Sequence, residues 1–416
     1  MSVYRISSNT IPDNGIYHLK NREFDMDRVN QQMNTGKKHR MPREGTVDVA
    51  QALTFHSKIH RLTQYLKNIQ DTESERSLVE SQIMNTVEIL QRVRELAVQG
   101  SNGIYDADDR LAMAEEVDQL LRNILLYANT KYKGNFLFSG HMKYTQPFET
   151  IEGAVKGVNK AMITDVKYLG DNGKHLREVD DGEYVTSTAP GSDIFWAENF
   201  QIYSNINTAD FRLTRDMSII IDEARIDFNE GDNIYAIMDK INKSDAAVKA
   251  SVDMVSGGLI LKSSTPHKVE LSDIEGGTLL QDLGILERGM PIGPDNYNTD
   301  ATVFGGSIFD SLIGLRDSML SNNQEDIGGR YLGAIDYALG NLLYHTAETG
   351  ALTNRLTYLQ DRFTSDKELF TESLAKIEDV DVAETFSELK MLEFAQRASL
   401  SSLARLSQTS LMDFLR

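Results

Sequence analysis

The chain has 416 residues, no cysteine and a formal net charge of −19, from 43 Lys and Arg against 62 Asp and Glu. The missing thiols exclude disulfide scaffolds, thiolate nucleophiles and cysteine zinc sites. The acidity argues against general nucleic-acid binding, and no apolar run approaches the ~20 residues that span a bilayer. The opening MSVYRISSNT has no apolar stretch of the kind a cleaved secretory signal requires.

In chain order, the first candidate element is a weak heptad over Ile16, Leu19, Glu23, Met26, Asn30 and Met33, with two polar interruptions, in a mildly basic segment. Between Gly45 and Gly100 there is neither glycine nor proline. Gly and Pro cost about 1 and 3 kcal/mol inside a helix, so their absence predicts one long helix. Leu62, Tyr65, Ile69, Thr72, Arg76, Val79, Ile83, Thr86, Leu90, Val93 and Ala97 keep a three-four alternation through it, broken in polarity only at Thr72, Arg76 and Thr86. Such a stripe reads as core packing. After a break at Gly100–Gly103, carboxylates from Asp106 to Asp109 mark the first turn of the next helix.

Most of the 29 glycines and of the seven prolines fall within residues 134–350. This middle region reads as turn-rich and strand-containing. Short strands are expected over 150–216, with turns at Gly170–Gly173 and Asp180–Gly182. A compact α+β module follows, with strands at Met217–Ile221 and Ala247–Val252, a helix over Asn233–Asn242, and Leu259–Ser263 and Lys268–Leu271 as a hairpin around Thr265-Pro266.

After Gly350 glycine and proline are again absent. Leu352, Leu356, Leu359, Phe363, Phe370 and Ile377 repeat the helical spacing, with Asp366 at the missing step. Asp381 and Glu384 form a D-x-x-E start, dividing the region into helices near 336–377 and 382–414. Leu400, Leu403, Ser407, Leu411 and Phe414 carry an amphipathic pattern to the end. The two chain ends therefore pair as helices carrying more apolar surface than they can bury on each other, which predicts assembly with other subunits.

Signals for chemistry are sparse. H-E-x-x-H, G-x-S-x-G and Walker-type patterns are absent. His56 and His60 form an i,i+4 pair without a third ligand nearby and read as a solvated face. The stretch from Asp295 to Asp300 resembles a calcium loop only superficially, since Tyr297 and Gly306 occupy positions that need oxygen ligands. The Asp180–Glu183 cluster reads as a solvated turn, Asn242-Lys243-Ser244 as a sequon by spacing alone, and Trp196 as core packing. An enzyme with a hydrolytic outer domain finds no acid/base or metal constellation. No catalytic, cofactor or metal residue is assigned.

Three segments carry a family resemblance. LQRVRELAVQGSNG (90–103), the helix after it and the NFLFSG turn (135–140), expected to begin a hairpin, are similar to the signature of the flagellin superfamily. The 217–285 module resembles the repeat of flagellin-type outer domains. FAQRASLSSLARLSQTSLMDFL (394–415) resembles the hook–filament junction branch more than filament flagellin. The resemblance implies a mainly α fold with an inserted α+β outer domain, its long-helix bundle built from both chain ends. It implies assembly helices at 1–45 and 378–416, disordered when free, a helical rod at 46–140 and 311–377, and an outer domain at 141–310. It further implies a non-enzymatic structural adaptor without cofactors. Such an adaptor leaves the cell unfolded through the flagellar type III channel and resides in the flagellum, external or periplasmic according to the organism. The implied partners are its own copies in a ring, hook-associated protein 1 on the hook side, flagellin on the filament side, and an export chaperone. The residues matching the assembly and chaperone-binding stripe are Leu400, Leu403, Leu406, Leu411, Phe414 and Leu415. A filament flagellin subunit is the alternative.

Overall fold

A stretch free of helix breakers, with an apolar residue at every third or fourth step, has no local reason to leave the α-helix. The computed structural model, which describes residues 10–39, 45–155, 158, 160–222, 224–253, 256–292 and 296–414, has a single helix there. This is α2 (Thr46–Ser101), preceded by α1 (Thr10–Thr35) and followed by α3 (Ala107–Ala128). At 1.5 Å per residue α2 is roughly 84 Å long. From Tyr65 to Ala97 every member of the predicted stripe is buried, the polar ones included. Thr72 and Thr86 donate their hydroxyls to the carbonyls of Asn68 and Gln82 one turn back, and Arg76 donates to the Thr186 carbonyl. The polar interruptions are thus satisfied locally or by one distant carbonyl, and the packing face continues through them.

The start of α3 is the one its carboxylates predict. Asp106 is the N-cap and forms a capping box with Asp109. The chain then makes β1 (Lys131–Tyr132) and β2 (Asn135–Phe136). Lys133 and Gly134, both at positive φ, join them as a two-residue turn of the primed type that suits right-handed strand twist. Asn135–Phe136 therefore closes this hairpin instead of opening one. Gly140 follows at φ +65, where an added Cβ would lie 2.4 Å from the Asp171 carbonyl oxygen. Only glycine fits that approach.

Two antiparallel hairpins come next: β3 (Phe148–Ala154) with β4 (Ala161–Tyr168), and β5 (Leu176–Asp180) with β6 (Glu183–Thr186). The single-turn α4 (Gly191–Ile194) and β7 (Gln201–Tyr203) lead to β8 (Met217–Ile221), β9 (Ala224–Phe228), α5 (Ile234–Lys243), β10 (Val248–Val252) and β11 (Leu259–Ser263). Then come β12 (Leu271–Ile274), α6 (Leu279–Asp282), β13 (Thr302–Phe304), α7 (Ile308–Leu320) and α8 (Gln324–Asp326). A π-helical turn (Ile327–Tyr331) opens into α9 (Leu332–Glu378), and α10 (Val382–Phe414) ends the described chain. Asp381 caps α10 by accepting from the backbone of Ala383 and Glu384.

The chain divides into two units: Met1–Lys67 with Leu359–Arg416, and Asn68–Tyr358. The second unit holds two hydrophobic cores. One is helical, built from α2, α3, α7 and α9. Phe148 sits within it against Tyr168, Phe195 and Phe309, with centroids 4.9–5.4 Å apart. Arg316 of α7 is fully buried there. It donates to Asp118 of α3 at 3.0 Å, to the Ile163 carbonyl at 2.7 Å, and to Asp317. Arg110 is buried at the junction of α2 and α3, donating to the Gly100 and Asn102 carbonyls and to Asn322. It thereby satisfies carbonyls that the end of α2 leaves open.

The other core belongs to the α+β module. Its sheets run β10-β11-β7-β13 and β12-β8-β9, antiparallel at every pairing. Ile234, Ile237 and Ile241 of α5 pack into it, one face of the helix that Asn233 caps. Here the expected hairpin around Thr265-Pro266 does not form. β11 pairs with β10 and β7, while β12 begins at Leu271 and pairs with β8, so residues 264–270 cross from one sheet to the other. Proline offers no N–H to a ladder, and buried His267 is turned to Asp222 just past β8, which fits a crossing and not a pair of matched strands. Asn172, in the predicted Gly170–Gly173 turn, ties this module to the helical core. It donates to Asp222 and to the Lys268 carbonyl, and accepts from Ser192.

Candidate functional site

The first unit is where the sequence places assembly, and its construction starts from two helices of opposite direction. The Arg22 guanidinium donates to the Ala395 carbonyl at 2.7 Å and to Ser399, Arg28 reaches Glu388 at 3.5 Å, and Lys37 reaches Asp379 at 2.8 Å. Residues rising along α1 meet residues falling along α10, so the pair is antiparallel. Where the helices end, Lys38 N–H donates to the Glu378 carbonyl and Val380 N–H to Gly36. The Asp379 hydrogen bond holds the Lys37 ammonium above its ordinary range, with Glu378 adding to it. These charges are half exposed and serve register more than stability.

Apolar contact within the unit is concentrated in few places. Val29 and Leu389 are buried, Tyr65 lies against Phe363, and Phe55 against Phe370. Elsewhere the helices carry large apolar side chains outward: Tyr17 and Phe24 on α1, and Val382, Phe386, Met391 and Phe394 on α10. Phe394 is 75% exposed and Phe24 67%. These exposed apolar side chains leave surface on the paired helices that a partner could cover. Leu400 of the predicted stripe is 52% exposed. The helix continues through Leu403, Leu406, Leu411 and Phe414, but their side chains, and Leu415 entirely, lie outside the described residues.

The weaker chemical signals resolve into structure. His56 pairs with Glu378 at 3.2 Å on the exposed helix surface, and among the described residues no group of His, Asp and Glu is placed to hold a metal. In the calcium-like stretch, Asp295 lies outside the described residues. Asn296 donates to the Leu271 carbonyl and Tyr297 to the Val269 carbonyl, so both face inward. The Asn242 amide is spent on Ala250, donating to its carbonyl and accepting from its N–H. Asp180 and Glu183 form the end of the β5–β6 hairpin, and Trp196 is buried in the helical core. Sequence reading missed Asn341, whose amide donates to the carbonyls of Asp193, Ile194 and Trp196 and so fixes α4 on α9. Its only trace was an amide in an apolar stretch of helix.

Long helices from both chain ends and a strand-bearing insertion define a helix-rich structural protein of the flagellin type. Residues 6–143 match the bacterial flagellin N-terminal helical region, 332–415 the bacterial flagellin C-terminal helical region, and 216–265 the flagellin hook IN motif. The two terminal matches together span more than half of the chain, and it belongs to the flagellin family. Among curated relatives, flagellin C of Vibrio cholerae is 26% identical over 344 residues, covering 82% of this chain and 80% of that one. Flagellin D of Vibrio anguillarum is 28% identical over 345 residues with the same coverage. Among solved structures, flagellar hook associated protein-3 from Legionella pneumophila aligns over 78% of this chain and 98% of its own, at 20% identity and a TM-score of 0.47. The fold expected from the sequence, mainly α with an inserted α+β domain, is the fold observed.

Proposed function

We propose that this flagellin-family chain is a structural subunit of the bacterial flagellum seated at the hook–filament junction. The observation that carries the junction reading is the ending 394–415, which resembles the junction branch of the family more than filament flagellin. The exposed apolar side chains of α1 and α10 support assembly of some kind. In this reading 1–45 and 378–416 are disordered in the free subunit and order on assembly, 46–140 and 311–377 form the rod, and 141–310 lies outside. Ordering the ends only against neighbours makes assembly conditional, because burial then offsets the entropy cost. Head-to-tail contacts in a helical lattice let one ring of copies present one axial face to hook-associated protein 1 and the other to flagellin. Export unfolded through the type III channel, with a chaperone holding Leu400, Leu403, Leu406, Leu411, Phe414 and Leu415, completes the scheme. Deleting the gene tests it: hooks should assemble while flagellin is shed into the medium, and filaments of normal length would overturn it.

A filament subunit is the second reading, favoured by the flagellin names of the curated relatives. Abundance separates the two. A filament subunit dominates purified flagella, whereas a junction subunit is a trace component.

A further inference from the structure

A cavity of about 30 Å³ lies within the second unit, bounded by α2, the segment after β6, and α9. Its polar lining includes Arg76, Thr186, Ser187, His345 and Glu348. Arg76 is 5% exposed and Ser187 1%. Arg76 spends one terminal nitrogen on the Thr186 carbonyl, but its Nε and the Ser187 hydroxyl are buried with no hydrogen-bond partner among the described residues. Two unsatisfied polar atoms around one small cavity are the usual surroundings of an internal water, and the volume holds one, at most two.

We infer that this cavity is an internal water site, in which a bound water accepts from Arg76 Nε and exchanges a hydrogen bond with Ser187 Oγ, joining α2 to the β6–α4 segment in a space that α9 borders. Water fits the lining better than an anion. Glu348 borders the same space and is held below its ordinary range by the hydrogen bond from His345, so a negative ligand would meet a carboxylate. Water also supplies both donor and acceptor, as a guanidinium and a hydroxyl together require. The water ties two segments far apart in sequence and makes no use of the assembly surfaces.

A crystal structure of the full chain, at a resolution that shows ordered water, tests this. The expected result is a peak at hydrogen-bond distance, about 2.7–3.2 Å, from both Arg76 Nε and Ser187 Oγ. A dry cavity, or Arg76 Nε turned onto Glu348, would overturn it. So would a bromide soak that gives anomalous signal at that point, since the site would then take anions. In solution, oxygen-17 relaxation dispersion should count one fewer long-lived water in Ser187→Val than in the native chain, and an unchanged count counts against the site. Should that variant not fold, the native crystal decides alone.

Discussion

Replacing Asp118 with alanine removes the carboxylate from a pair in which neither side chain reaches water. Arg316 is 0% exposed and Asp118 1%. Breaking a buried pair from one side typically costs 3–5 kcal/mol, because the surviving charge stays desolvated. Here the surviving guanidinium keeps two other partners, the Ile163 carbonyl and Asp317, so the lower end, about 3 kcal/mol, is the expected loss. Unfolding entropy of about 2 cal/mol/K per residue over the second unit converts this to a fall of roughly 5 °C in melting temperature. Arg316→Met should cost a similar amount, since Asp118 keeps Arg122 at 3.1 Å. The decisive variant is the double replacement, Asp118→Leu with Arg316→Met, which leaves no stranded charge and should cost less than either single change. Thermal and guanidinium unfolding followed by circular dichroism measure all three. Asp118→Ala within 1 kcal/mol of native, or a double variant that costs the sum of the singles, would refute the reasoning.

Three further outcomes are expected. Phe394→Asp should leave monomer stability within about 0.5 kcal/mol, because the ring is exposed, yet reduce incorporation into flagella scored by immunoelectron microscopy. Leu403→Asp with Leu411→Asp should weaken export-chaperone affinity in a titration and reduce the exported amount, since a charge there would be desolvated in any complex. Stability of the second unit should depend on His267. Burial alone would lower its pKa, but the hydrogen bond and charge of Asp222, with the charge of Asp193, more than offset this, and the net shift is upward from 6.5. Asp193 is itself raised by burial and faces Lys174 and His345 as well. A raised histidine contributes fully below pH 6.5, and that contribution is lost as pH rises through the folded value. Denaturant midpoints should therefore fall from neutral to mildly alkaline pH, and His267→Gln should flatten that slope.

What could be read from the sequence was whatever depends on neighbours along the chain. The α2 stripe, the Asp106 and Asp381 helix starts, and the Asn233-capped helix all follow from spacing and local hydrogen bonds. Even Thr72 and Thr86 fit, since a threonine can return its hydroxyl to the preceding turn. Contacts between distant segments could not be read. Arg316 and Asp118 are 198 residues apart, and neither is unusual in its own window. The hairpin expected at Thr265-Pro266 failed for the same reason: two adjacent apolar runs look alike whether they pair with each other or with separate sheets. Surplus apolar surface at the chain ends was expected, but the exposed Tyr17, Phe24, Val382, Phe386, Met391 and Phe394 lie outside the periodic sets read from the sequence. Of those sets Ile16 and Leu400 are exposed, and most of the residues near the end have side chains outside the described residues.

The antiparallel pairing of α1 with α10 also sets a schedule. Arg22 and Ser399 are 377 residues apart, so the closing loop is nearly the whole chain. Loop-closure entropy grows only slowly with length, but a contact cannot form before both partners exist. However the polypeptide is delivered, from a ribosome or through a narrow pore, α1 emerges first and waits unpartnered while everything between it and α10 follows. Contacts as distant as these form slowly, and local helices and hairpins are free to form ahead of them. The α1–α10 pair is thus a late feature of folding, because its two sides are delivered 377 residues apart.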